Sequence, residues 1–317
     1  MPKSLLLYRS TLPAICLSLL SSSLYAQNLF PNETAAPDTS PYMPEFIDMG
    51  NDYAAQKKFY LYGGIEITNA YYTKGKLNED KGGIFQPEFG IGYHLLQNTD
   101  KDTLLQNVDV YGQWWASFHT EETDATRSPE TLYESDYTFG IKAKLNNGLT
   151  VNAEYWYDTA PNGAWDDVAD ILLKLTYDDA GIWDAAGISF PGFKGLQPYF
   201  KTVYRIQTPG DSHSYFWFGA NPEFDILQSE ALPITFSTPI EVGFGDGEWY
   251  GTNRSDFGYA KAGFVANMPL EFINKNFGKW SAYAGIHAMY IGDGARDSAP
   301  EDDRWVPLAT FGLTFDY

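Results

Sequence analysis

The chain has 317 residues, with 21 Lys and Arg against 41 Asp and Glu, and a net charge of −20. That balance excludes nucleic acid as a natural partner, because phosphate backbones are bound by basic surfaces. One cysteine excludes an internal disulfide, and 17% aromatic residues with 29 glycines at a mean hydropathy of −0.33 point to β structure.

Residues 1–26 carry Lys3 and Arg9, then the apolar stretch "TLPAICLSLL", then "SSSLYA". A basic head, a short apolar middle and a small final residue form the pattern of a secretory signal peptide, with cleavage expected after Ala26. Cys16 follows Ile15 where lipoprotein processing wants a small residue, so no lipid anchor is expected. Cleavage would take away two bases, no acid and the only cysteine, leaving 19 bases against 41 acids, a charge of −22. Residues 27–56 hold four prolines and no period; they are expected to form a flexible periplasmic N-terminal arm. A spacer is the plain expectation for it and a lumen plug the alternative. After residue 26 no apolar run reaches the ~18 residues of a membrane-spanning helix.

From residue 57 a two-residue alternation begins. In "IFQPEFGIGYHLL" one face carries Phe85, Pro87, Phe89, Ile91, Tyr93 and Leu95; the other carries Gln86, Glu88, Gly90, Gly92 and His94. "VDVYGQWWASFH" and "YESDYTFGIKAKL" repeat the pattern, which is that of strands with one apolar face. Twelve such segments are expected, near 58–72, 84–96, 108–120, 132–145, 149–159, 168–178, 196–207, 213–221, 232–244, 257–267, 279–291 and 305–317, with 178–200 and 220–235 hardest to register. Asn147-Gly148 marks a tight hairpin. The longer acidic connections "TKGKLNEDKGG", "TEETDATRSPE", "DTAPNGAWDD", "GDGEWYGTNRS" and "GDGARDSAPEDD" then all fall at the end opposite that hairpin. "QNTDKDTLLQN" and "PLEFINKNFGK", the latter with a helical turn around Leu270–Asn276, share the hairpin's end.

Alternation alone does not separate a membrane barrel from a sandwich in water. The apolar faces, however, place large rings near strand ends: Phe59, Tyr93, Trp114, Tyr133, Tyr157, Trp280, Tyr290, Trp305 and Tyr317. Aromatic girdles at both edges of an apolar band are what a bilayer selects, and hydrocarbon forces the sheet to close. The expected fold is all-β: a transmembrane antiparallel up-and-down β-barrel of about 12 strands over residues 57–317, with periplasmic N- and C-termini.

Two stretches carry resemblances. The final "FGLTFDY", with Tyr317, Phe315, Leu313 and Phe311 on one face, resembles the C-terminal signal of Gram-negative outer-membrane β-barrel proteins. The resemblance implies recognition of that strand by the outer-membrane assembly machinery. "ITNAYYTKGKLNEDKGGIFQPEFGIGY" resembles the first hairpin of bacterial putative porins, in which a strand ends Tyr-x-x-Arg-Gly before a short polar loop and a Gln-containing strand. Tyr71, Tyr72, Lys74 and Gly75 take that position, with Lys74 in place of the arginine, and Gln86 and Pro87 follow. It implies a porin-like barrel and no particular solute.

The polar faces are expected to line the lumen. The lumen candidates are Glu66, Glu88, Asp109, Tyr111, Trp115, Glu134, Asp136, Lys142, Lys144, Glu154, Lys174, Lys201, Arg205, Glu241 and Lys261; Asp158, Asp170, Trp156, Tyr199 and Tyr283 share those faces. Their mixed charges suit either a hydrated pore or an internal ion-pair network, and Lys142 and Lys144 are expected to pair near Asn152 and Glu154. Inward rings could stack on sugars or simply fill space. Ser117 and His119 are the one Ser/His pair on one strand face, expected to be polar filler; no His or Cys cluster suggests a metal, no cofactor is expected, and no enzyme.

The reading is a porin-like channel in the outer membrane of a Gram-negative bacterium, passing small hydrophilic solutes by passive diffusion. Its partners are outer-membrane lipid, the assembly machinery and those solutes. The acidic loops imply a weak cation preference. The alternatives are a non-conducting structural or adhesive outer-membrane barrel, and a secreted soluble β-sandwich that binds sugars.

Overall fold

The structure, a computed structural model, describes residues 58–317 apart from 101, 189–191, 208–212, 230–231, 247–248, 252–254 and 299–302. The expected signal peptide 1–26 and arm 27–56 lie outside the described residues. In chain order the strands are β1 (Phe59–Thr68), β2 (Tyr71–Thr73), β3 (Lys76–Glu79), β4 (Ile84–Gln97), β5 (Leu105–His119), β6 (Leu132–Leu145), β7 (Leu149–Thr159), β8 (Val168–Tyr177), β9 (Pro198–Gln207), β10 (Ser214–Ala220), β11 (Glu223–Ser229), β12 (Leu232–Ser237), β13 (Ile240–Gly245), β14 (Phe257–Pro269), β15 (Lys279–Ile291) and β16 (Trp305–Asp316).

All neighbouring pairs are antiparallel, and the ring runs β1-β4-β5-β6-β7-β8-β9-β10-β13-β14-β15-β16 and back to β1. This is a closed barrel of 12 strands, so the sandwich alternative is wrong: β1 and β16 pair over Tyr62↔Asp316 to Thr68↔Thr310 and leave no free edge. The last residue is held as well, since Leu61 and Tyr317 exchange backbone hydrogen bonds of 2.9 and 2.8 Å. Closure is what the exposed apolar face requires, because unpaired backbone groups are prohibitively costly in hydrocarbon.

Two positions of the wall are broken. β11 follows β10 across Asn221-Pro222, and β12 leads into β13 across Thr238-Pro239. Proline lacks the N–H that a ladder needs. The two breaks face one another, with Thr238 N–H donating to the Pro222 carbonyl at 2.9 Å. Beyond them β12 pairs with β14 at Thr235↔Asn267 to Ser237↔Val265, while residues 192–196 cover β11 through the Phe193↔Phe224 bridge and a Lys194–Asp225 ion pair of 3.0 Å. The expected segments 196–207, 213–221 and 232–244 therefore find the wall, but the third is two strands.

The outward face is an apolar band: Ile65, Phe89, Ile91, Phe139, Ile286 and Phe311 are all exposed. Rings flank it at both ends, with Phe59 against Tyr93 (4.7 Å) and Trp280 against Phe315 (5.1 Å) at one end, and Tyr290 against Trp305 (5.2 Å) at the other. Tyr133 is the exception among the rings expected there. The β5–β6 register skips it between Ser117↔Glu134 and Phe118↔Leu132. That irregularity turns its side chain inward, where it stacks on His119 at 4.6 Å.

The hairpin Leu145–Leu149 with Gly148 at φ 89 fixes one end of the barrel, which also carries both ends of the wall; we call it the terminal end. All five acidic connections lie at the opposite, loop end. One of them is not outside. Residues 69–72, expected as the end of the first strand, and 73–83, expected as a polar external loop, together form the separate β2–β3 sheet folded into the lumen, with Tyr71, Tyr72 and Lys74 buried. The reason is composition: this connection carries two tyrosines and Leu77 among its charges; Tyr72 and Leu77 pack with Tyr215, Trp217, Tyr259, Met289 and Val306 of the wall, and Tyr71 packs with Ile84, Trp115 and Tyr133. At the terminal end the helical turn expected over 270–276 is a 3₁₀ turn, Lys275–Phe277, and a helix, Ala180–Ala185, was not foreseen.

Candidate functional site in the lumen

Alternation turns every second residue of each wall strand inward. Glu66, Asp109, Tyr111, Trp115, Glu134, Asp136, Glu154, Lys201, Glu241 and Lys261 are buried, whereas Glu88, Lys142, Lys174 and Arg205 are part-buried and Lys144 is exposed at the terminal end. Two layers can be told apart by how their carboxylates are held.

In the middle layer three carboxylates, Glu66, Glu154 and Glu241, meet aromatic donors from the wall, while Glu88 accepts from Gln113 at 3.4 Å. Tyr283 donates to Glu66 at 2.6 Å. Glu154 accepts from Tyr111, from Trp156 Nε1 at 2.6 Å and from Asn152 at 3.4 Å. Glu241 accepts from Tyr199 at 2.8 Å and from Tyr259, with Lys261 Nζ 3.9 Å away. Lys142, expected near Glu154, stands between Asn152 on β7 and Asp109 on β5. Asp109 is also paired with His94.

The middle-layer tyrosines lie flat across glycines of the adjoining strand. Tyr60 covers Gly92, Tyr62 covers Gly90, Tyr111 covers Gly140, Tyr199 covers Gly219 and Tyr283 covers Gly312, each pair directly opposed in register. A Cβ on any of these glycines would stand 2.0–2.4 Å from the ring, closer than any side chain tolerates. Glycine is required here by close approach, not by backbone freedom.

The loop-end layer is different. Glu134, Asp136, Asp158 and Asp170 are all fully buried on three adjacent strands, with Asp136 directly opposite Asp158. Arg205 clamps Asp170 with two bonds of 2.9 and 3.0 Å, a bidentate geometry that orients both groups. Glu134 accepts from Tyr71 of the hairpin at 2.7 Å through one oxygen, and its other oxygen has no partner. No side-chain donor reaches the four oxygens of Asp136 and Asp158, and the backbone amide of Thr159 faces Asp136. Burial, then Glu134 and Asp136, keeps the Tyr71 phenol protonated well above its ordinary range, so it acts as a donor. Burial, then Asp80, pushes Tyr72 up to about 12.

The hairpin tip completes the layer. Lys74, at φ 53, is buried with its ammonium 5.8 Å from the Trp217 ring centre and 5.0 Å from that of Trp249. Its carbonyl accepts from Tyr215 at 3.4 Å and from Tyr250. Lys201 lies over Trp217 at 4.4 Å and Arg205 over Trp249 at 5.0 Å. Gly75, at φ 84, lies so close to the Gly258 carbonyl that a Cβ would stand 2.7 Å from it.

Ser117 Oγ and His119 Nε2 are 2.9 Å apart, and His119 Nδ1 meets Thr123 Oγ1 at 2.8 Å, with Glu79 of the hairpin beyond it. Sequence reasoning paired Ser117 and His119 but had no signal for Thr123 and Glu79, which lie in connections without a period. It also missed Lys74, Trp217 and Trp249 as members of the lumen. Among the described residues no three Asp, Glu, His or Cys side chains converge as metal ligands.

No family model matches the chain, and no curated protein matches it. Solved structures similar to it include an outer membrane channel from Pseudomonas putida F1 (8% identity, TM-score 0.44, 82% of this chain and 94% of that one). A bacterial polysaccharide outer membrane secretin (10%, 0.40, 82% and 98%) and LpxR from Salmonella typhimurium (9%, 0.39, 80% and 99%) are others. A likeness at this level does not extend to activity. By its own closed wall, outward apolar band and polar interior, the chain is a 12-stranded β-barrel of the outer-membrane type.

Proposed function

We propose that the protein is a solute channel of the outer membrane, with its loop end outside, shut in the present state by its own first hairpin. The observation that carries this reading is that the wall is complete without the hairpin. β1 pairs directly with β4 over Phe59↔Tyr93 to Thr68↔Ile84, while β2 and β3 pair only with each other. The hairpin can leave the lumen without loss of any strand-to-strand hydrogen bond of the wall; what breaks are side-chain bonds such as Tyr71 to Glu134 and Tyr215 to the Lys74 carbonyl. What it would uncover is a charged polar surface suited to water and small hydrophilic solutes, and the acidic rim favours cations mildly. The C-terminal strand, which ends on a paired Tyr317, fits delivery by the assembly machinery. The Ser117–His119 pair belongs, in this reading, to the polar packing and takes no part in catalysis.

A second reading, a non-conducting structural barrel, is favoured by the apolar cluster that joins Tyr72 and Leu77 to the far wall. Planar-bilayer conductance separates the two. The intact protein should give small or rare openings; replacement of residues 70–82 by a short Gly/Ser turn should raise the open conductance by about tenfold or more, the scale expected when a plug is removed from a water-filled barrel. A variant that migrates as a folded barrel yet carries no current would establish the structural reading instead.

A further inference from the structure

The loop-end layer has more acid than the wall neutralises. Asp170 is matched by Arg205. Glu134, Asp136 and Asp158 remain, fully buried, and Lys74 is the cation whose charge acts on all three, with Arg205 reaching Glu134 and Asp158 from its place at Asp170. Tyr71, the hydrogen-bond donor to Glu134, is also a hairpin residue. The hairpin therefore supplies from outside the wall what the carboxylates lack within it. Buried carboxylates without donors are costly, and Asp136 and Asp158 keep four unbonded oxygens even with the hairpin in place.

Lys74 shows what fits. Its ammonium is buried against the faces of Trp217 and Trp249, at 5.8 and 5.0 Å from the ring centres, at the same end of the lumen as the carboxylates. Aromatic faces and carboxylates together recognise an organic cation by its charge and its apolar stem. A bare metal ion would want converging oxygens, and the described residues offer no such set.

We propose that this layer is a binding site for a solute bearing a primary ammonium group on a flexible apolar stem, and that Lys74 occupies it as a built-in surrogate. Binding of such a solute displaces Lys74, frees the hairpin and opens the lumen. The inference rests on the channel reading, of which it names the solute class. The measured affinity of the intact protein is then lowered by the fraction of molecules in which the hairpin is docked.

Calorimetric titration of the detergent-folded barrel with cadaverine tests this, with 1-pentanol as the uncharged control. Lys74→Gly removes the surrogate at a position whose positive φ suits glycine, and should tighten cadaverine binding by about tenfold or more. Asp136→Asn with Asp158→Asn in the otherwise native chain should abolish it, and pentanol should bind neither form. Equal affinity in Lys74→Gly and the intact protein would overturn the proposal. So would full binding by the double Asn variant, which settles the matter alone if Lys74→Gly does not fold. Binding is read without current, so the two ideas fail separately. Tight charge-dependent binding with no conductance in any form would sink the channel and leave the site. Conductance without binding would do the reverse.

Discussion

Glu154 and Asp136 are the same kind of group in the same kind of place: buried carboxylates that point into one lumen from neighbouring strands. Glu154 is surrounded by three wall side-chain donors, whereas Asp136 has no side-chain donor. The middle layer uses its acids as struts between strands. The loop-end layer holds acids that the wall itself does not satisfy, and the difference marks where the barrel is structure and where it is available to something that enters.

The sharpest way to break this comparison is to remove one acid from each layer. Glu154→Leu strands the Tyr111 hydroxyl and the Trp156 N–H, and should cost about 3–5 kcal/mol, the scale for unmaking a buried charged network. In a Lys74→Gly background, where no buried cation depends on them, Asp136→Asn with Asp158→Asn should change stability by less than about 1 kcal/mol or raise it, since no side-chain hydrogen bond is lost. Urea midpoints for the barrel in lipid vesicles measure both, and equal losses would erase the distinction. Next in size is the ring-on-glycine contact of the middle layer. Gly140→Ala should destabilise by about 1–3 kcal/mol through overpacking against Tyr111. Adding Tyr111→Ala should remove most of the Gly140→Ala penalty; a persistent penalty would mean the glycine matters for its backbone. The smallest effect concerns the rim. Neutralising Asp297, Glu301, Asp302 and Asp303 together should reduce cation preference by less than about a factor of two at low salt, and exposed charges screened within ~10 Å at 0.1 M should make the change vanish at high salt. Glu301 and Asp302 lie outside the described residues. Reversal potentials across a salt gradient read it, and a clear anion preference in the intact protein would give control to Lys201, Arg205 and their neighbours inside.

The wall was legible because lipid outside and polar groups inside impose opposite demands on successive residues. Glu66, Tyr111, Glu154 and Glu241 follow from counting by two. Asn147-Gly148 set the end from which the connections could be sorted. What counting could not give is whatever breaks the count. Tyr133 lies at a register skip, so a two-residue period assigns it to the wrong face. Thr238-Pro239 interrupts a segment, 232–244, that reads as a single strand, and β11 beyond Asn221-Pro222 falls where no strand was expected. The hairpin is least legible of all: its path depends on contacts between Lys74 and Trp217, 143 positions apart, and a connection rich in Lys, Asn and Asp looks like any solvated loop.

The five closest tyrosine–glycine contacts share a direction: the ring belongs to the earlier strand and the glycine to the strand that follows it around the wall, whereas the looser contact of Tyr259 with Gly243 runs the other way. A newly arriving strand therefore meets a template that accepts it in one alignment. Shifted by one residue it would turn its lipid face inward; shifted by two, the ring would meet a side chain where it needs bare backbone. The flat rings thus work as a keyed latch for the additions of β4, β6, β10 and β16. Substituted glycines at Gly90, Gly140 or Gly312 should yield mis-stitched, protease-sensitive barrels during biogenesis even where the finished protein would tolerate the extra methyl.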